Sequence, residues 1–172
     1  GAAGGGRPPG PRSDEELGRP RGLSAPQAEK LLKAAKSRGR HPHRDHTLLL
    51  VIYTHGLRVG EAVALRWDHV DLEQGLVHVE RLKSGISAVH PLRGPEIRAL
   101  RRLKREQNPP SPFVFTGERG SPLTVSAVQK MVEAVGKKAG FPWKVHPHML
   151  RHATGFKLVH DGQDTRSLQH YL

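Results

Sequence analysis

The chain has 172 residues, with 28 Lys and Arg against 16 Asp and Glu, a formal net charge of +12 and no cysteine. That balance points to a polyanionic partner, nucleic acid ahead of an anionic membrane, and the missing thiols exclude disulfides, thiolate zinc sites and a cysteine nucleophile. The longest apolar run, Leu48 to Tyr53, is six residues, against roughly 20 for a membrane span; with no secretory h-region either, the sequence predicts a soluble, cytoplasmic protein with one domain-sized core.

Residues 1 to 22 hold seven Gly, four Pro and four Arg and almost nothing to bury, which predicts a disordered basic tail. Order is expected from residue 23. Ser24 and Gln27 form a capping box ahead of an apolar stripe at Ala28, Leu31, Leu32 and Ala35, so a first helix starts there. His41, Pro42, His43 and His46 read as a polar connection, without the regular spacing of metal ligands. Thr47 to Tyr53 is apolar on every side, the pattern of a central buried helix. Gly56 breaks it, and a further helix is expected from Val59 to about Trp67, with Val59, Ala62, Val63 and Leu65 inward. Arg58 stands at that junction with Glu61 one turn later, a carboxylate able to orient it; the bland alternative is an ordinary surface ion pair.

Leu76 to Leu82 and Ile86 to Leu92 read as a β-hairpin with Lys83 at its tip. A helix from Pro95 to Glu106 sets Arg98, Arg101, Arg102 and Arg105 opposite Ile97, Leu100 and Leu103, a cationic face able to follow a phosphate backbone or simply to be solvated. Phe113 to Phe115 reads as a short buried strand. Ser126 and Gln129 suggest a capping box for a helix lined by Val128, Val132 and Val135 and ended between Gly136 and Gly140.

His146-Pro147-His148-Met149-Leu150-Arg151-His152 then places three imidazoles and a guanidinium in seven residues. Pro147 suits a first helical position, the helix runs on through Ala153, Phe156, Leu158 and Val159 toward Gly162, and His148 and Arg151 share one face where both can meet one phosphate. The alternative is surface histidines or a chance metal pair. A last helix, capped by Asp164, covers Thr165 to Leu172. The chain opens on Gly and stops inside that helical pattern, so it is expected to be a fragment at both ends.

No Gly-rich phosphate loop, G-x-S-x-G or zinc-protease signature is present. The cationic groups suit metal-free phosphoryl transfer, in which fixed guanidiniums meet the charge on the nonbridging oxygens. Gly56-Leu57-Arg58-Val59-Gly60-Glu61-Ala62, Arg81-Leu82-Lys83-Ser84-Gly85 and His148-Met149-Leu150-Arg151-His152 resemble, in order and approximate spacing, the catalytic domain of the tyrosine recombinases, the phage integrase family. Residues 81 to 92 and 146 to 152 are most similar to the short invertases that switch fimbrial promoters. The resemblance covers about residues 24 to 172.

It implies a mainly α fold with a small antiparallel sheet (α+β), and site-specific recombination of double-stranded DNA through a 3′-phosphotyrosyl intermediate. By it, Arg58 and Arg151 clamp the scissile phosphate, Lys83 protonates the leaving 5′ oxygen, His148 is the acid–base partner of the attacking tyrosine, and Glu61 and His152 support them. Arg98, Arg101, Arg102 and Arg105 are candidate DNA contacts. No metal, nucleotide cofactor or small-molecule substrate is implied, and self-association as a tetramer on DNA is. The family's last helix continues into Leu-Gly-His and then the tyrosine; here Tyr171 lies 20 residues after Arg151, too early for that role, and Tyr53 is in the buried helix, so residues 23 to 172 are expected to lack the nucleophile segment and the chain alone to be inactive in cleavage. A DNA-binding relative that does not cut, acting as accessory or competitor, and a metal-binding protein using His146, His148 and His152 are the two other function classes considered.

Overall fold

The computed structural model describes residues 21–81 and 87–160, with side chains as far as Ala153; the basic tail before residue 21, the hairpin tip with Lys83, Gly162, the helix from Asp164 and Tyr171 lie outside the described residues. Helix α1, Ala25–Ala35, starts as expected, with the Ser24 hydroxyl accepting from the Gln27 amide and the Gln27 side chain accepting from the Ser24 amide. Its stripe Ala28, Leu31, Leu32 and Ala35 is buried.

Helix α2, Pro42–His55, begins five residues before the apolar run, so the expected polar connection is in fact its first turn. Pro42 occupies the helix entry, and Asp45 sits in the first turn, where a carboxylate meets the positive end of the helix dipole. Burial raises the Asp45 pKa while the adjacent Arg44, 2.9 Å away, lowers it. His43 and His46 face the backbone carbonyls of Ala99 and Leu32, at 2.9 and 3.0 Å, rather than a shared ligand position. Leu48, Leu49, Val51 and Ile52 are all but inaccessible. This helix is the axis of the domain, packed by α1, by the short α3 (Val59–Val63), by α4 (Gly94–Glu106) and by α6 (Pro147–His160). Helix α5, Val125–Ala139, closes the other side of α1.

Helix α3 ends at Val63, shorter than the expected reach to Trp67; the chain turns there and Trp67–His69 form a separate 3-10 turn. The sheet has three antiparallel strands in the order β1 (Val70–Asp71), β2 (Leu76–Glu80), β3 (Ser87–Pro91). The hairpin is confirmed, Val77 facing His90 and Glu80 facing Ser87, while β1 carries too few residues to leave a period-2 signal. Phe113 to Phe115 is not a strand: only Phe113 bridges, to Arg66. The segment is pinned instead by Leu65, whose carbonyl accepts from the Val114 amide, and by the Gln107 side chain, which donates to the Phe113 carbonyl and accepts from the Trp67 indole. The cap of α5 is Thr124, its hydroxyl accepting from the Ala127 amide, and not Ser126. Val128, Val132 and Val135 are buried as expected, and Gly140 ends the helix in the left-handed conformation.

Candidate active site

Helix α2 ends where Gly56 takes φ 64° and ψ 40°, a conformation that costs a side-chain-bearing residue and suits glycine. That turn throws the chain sideways. Leu57 drops into the core, Arg58 emerges as the exposed residue before α3, and the Glu61 carboxylate reaches back to accept from the Arg58 amide at 2.8 Å. From the opposite side comes α6, entered through Pro147 with the Met149 amide donating to the His146 carbonyl at 3.0 Å. Met149 and Leu150 are buried, which turns His148 and Arg151 outward one helical turn apart.

The two segments, 95 residues apart in sequence, meet at one carbonyl: Arg151 Nε donates to Gly56 O at 3.0 Å. Arg58, Glu61, His148 and Arg151 thus line a single pocket of about 330 Å³ floored by Leu57, Val59 and Gly60. Burial first, then the neighbouring Arg58 and Arg81 charges, lowers the pKa of Arg151, with Glu61 acting the other way. Crowding cations around one small pocket is unfavourable until an anion enters, and a phosphate diester carries the right charge and the oxygens for forked donors.

Glu61 does not pair with the Arg58 guanidinium; its carboxylate takes the Arg58 backbone amide and, at 2.9 Å, the guanidinium of Arg81. Arg81 and a buried chain of His55, His90 and Glu96 were not singled out in the sequence. His55 Nε2 lies 2.6 Å from Glu96 Oε2, and His55 Nδ1 lies 3.0 Å from His90 Nδ1. The signal available was a polar residue on an inward position: Ala88 and His90 form the inner face of β3, with buried Leu92 just beyond its end, while Val89 is 53% exposed.

The three histidines of the metal reading do not converge. His146 and His148 stack with ring centroids 5.4 Å apart, whereas His152 lies against Gly22, so close that a Cβ there would come within 2.5 Å of the ring. Among the described residues no group of three His, Asp or Glu is placed to hold a metal ion. Beside that contact the Leu23 amide donates to the Met149 carbonyl at 3.2 Å, fastening the start of the described chain to α6. None of Arg98, Arg101, Arg102 and Arg105 lines the Arg58 pocket. All four are exposed on α4, Arg101 donating to the Leu72 carbonyl and Arg102 pairing with Glu106. Of the two tyrosines, Tyr53 is buried in α2.

Residues 21–172 match the model of the phage integrase family. The chain belongs to that family. It is 38% identical over 154 residues to the type 1 fimbriae regulatory protein FimB of Escherichia coli strain K12, a match covering 87% of this chain and 76% of FimB. Its fold superposes on the crystal structure of XerA recombinase with a TM-score of 0.76 at 27% identity, over 96% of this chain and 57% of that one. It likewise matches XerH site-specific recombinase bound to palindromic difH substrate, in a post-cleavage complex, with a TM-score of 0.70 at 26% identity, over 88% of this chain and 45% of that one. The chain therefore spans about half the length of these solved recombinases. Of these neighbours, XerH is a site-specific recombinase solved on its difH substrate. Among the described residues no helix is long and apolar enough to cross a membrane.

Proposed function

We propose that this chain is the phosphate-gripping part of a tyrosine-type site-specific recombinase acting on double-stranded DNA. The observation that carries the reading is the convergence of Arg58, His148 and Arg151, from two helices far apart in sequence, on one pocket with the carboxylate of Glu61 beneath. In this scheme Arg58 and Arg151 hold the nonbridging oxygens of the scissile phosphate, His148 exchanges the proton of the attacking tyrosine hydroxyl, and Lys83 delivers a proton to the departing 5′ oxygen. The 3′-phosphotyrosyl bond keeps the energy of the broken diester, so rejoining needs neither metal nor nucleotide. His152 supports the reactive helix from the Gly22 side, Arg98, Arg101, Arg102 and Arg105 contact the flanking duplex, and the protein assembles on DNA as a tetramer.

The test is to change Arg58 or Arg151 to Lys in a form extended past Leu172. Lysine keeps the charge but not the fork, so strand exchange should fall by about tenfold or more for each lost charge-assisted bond while thermal unfolding stays put. Normal recombination by both variants would remove these residues from the clamp. A non-cleaving DNA-binding role is the second reading, favoured by the burial of Tyr53 in α2, which leaves no tyrosine at the pocket among the described residues. A nicked suicide substrate separates the two, since only a cleaving protein becomes covalently joined to it.

A further inference from the structure

Arg81 is the last described residue before the hairpin tip, and its side chain is only 9% exposed. Buried guanidiniums are costly unless their donors are used; the two Nη groups of this one are spent on the framework of the phosphate pocket, while its Nε has no partner among the described residues. Its Nη1 lies 2.9 Å from Glu61 Oε1 and 3.4 Å from the Gly56 carbonyl, and its Nη2 lies 3.4 Å from the His55 carbonyl. Two of these acceptors are already committed to the clamp. Glu61 Oε1 accepts from the Arg58 amide, and the Gly56 carbonyl accepts from Arg151 Nε. One fork therefore touches both the carboxylate that seats Arg58 and the carbonyl that seats Arg151.

Neither seat is otherwise well defended. The Gly56 carbonyl belongs to a residue in the left-handed conformation with no side chain to pack, and Glu61, 1% exposed at its side chain, would be a buried lone carboxylate without a cation beside it. We infer that Arg81 is a positioning residue: it sets the spacing and orientation of Arg58 and Arg151 from behind the pocket and does not itself touch the phosphate. Arg81 does not line the pocket, and a lysine, with one point of donation, cannot span Glu61 and the two carbonyls together. The inference rests on Arg58 and Arg151 binding a phosphate.

The experiment uses the 172-residue chain and inorganic phosphate as the probe, followed by NMR of the arginine Nε–H groups. In the unmutated chain, phosphate should shift the Arg58 and Arg151 signals and leave Arg81 nearly still. No shift at Arg58 or Arg151 would refute the phosphate site itself, whereas a shift at Arg81 as large as theirs would make Arg81 a ligand and overturn the positioning role. Arg81→Lys keeps the charge balance. It should weaken phosphate binding by about tenfold, the weight of one charge-assisted bond, and move the Arg151 Nε–H signal before any phosphate is added, with unfolding temperature nearly unchanged. Should Arg81→Lys fold poorly, the pair Arg81→Met with Glu61→Gln removes the buried charge and its partner together, restoring the fold but not the grip. Phosphate affinity within about twofold of the unmutated chain in either variant, well below the weight of one such bond, would show that Arg81 merely neutralises Glu61.

Discussion

The buried histidine chain makes the stability of this domain dependent on pH in a direction that can be worked out. His90 is 1% exposed, and its pKa is pushed down from 6.5 to about 4 by burial, then by the charges of His55 and Arg81. The groups facing it are His55 from α2, which bridges it to Glu96 of α4, and Arg81 at the end of β2. A base whose pKa falls on folding binds its proton more readily in the unfolded chain. Its contribution is therefore complete above pH 6.5, is lost progressively as pH falls from 6.5 toward about 4, and levels off below that. The gap between the two values corresponds to about 3 kcal/mol in all, of which about 2 kcal/mol is lost by pH 5. His90→Asn leaves a smaller uncharged side chain and carries a packing penalty that does not depend on pH. Urea unfolding followed by circular dichroism, at steps between pH 7.5 and pH 5, gives the stability difference between the two proteins at each point. The unmutated chain should lead at pH 7.5 and lose about 2 kcal/mol of that lead by pH 5. A lead that stays constant with pH would mean that His90 is not held neutral by its surroundings, and the argument would fail.

Four further outcomes are expected. Gly136→Ala should destabilise the domain by about 1–3 kcal/mol, because a Cβ there would lie 2.5 Å from Val145 Cγ2 in the segment leading to α6; thermal melts read it directly. Affinity for duplex DNA should fall steeply with salt, and Arg101→Glu with Arg102→Glu should flatten the slope in a fluorescence titration; an unchanged slope would take α4 off the DNA. Gly56→Ala should cost about 1–2 kcal/mol through its left-handed backbone and, unlike Gly136→Ala, should disturb the Arg151 Nε–H signal, since the altered residue owns the carbonyl that Arg151 uses. The 172-residue chain should retain DNA without a covalent adduct on a suicide substrate; an adduct abolished by Tyr171→Phe would relocate the nucleophile.

What could be read ahead of the structure was local. The Ser24 box, the apolar run of α2, the two paired strands of the hairpin and the Pro147 entry each follow from neighbours a few residues apart, where period and capping speak directly. The clamp itself came from the similarity of three motifs to a known family; what the structure adds is that Arg58, His148 and Arg151 line one pocket. The misses share a cause. Pro42 to His46 looks like a polar connection because the partners of His43 and His46 are carbonyls on α4 and α1, and no local pattern announces them. Phe113 to Phe115 has strand chemistry, but its backbone is taken by Leu65 and the amide of Gln107 instead of a ladder. Arg81 read as one more strand charge because its acceptors lie 20 and more residues upstream. In the same way His55 and Glu96, 41 residues apart, show no pairing until α2 and α4 are laid side by side.

The bond from the Leu23 amide to the Met149 carbonyl, with Gly22 pressed on His152, has a mechanical side. Gly22 and Leu23 are moored to the same helix that presents His148 and Arg151, and Leu23 itself is anchored in the core. Tension applied through the amino-terminal end would reach the reactive helix before it reached the sheet or α4. An upstream tether is thus a lever on the site, and a handle attached there would measure in force what substitutions measure in affinity.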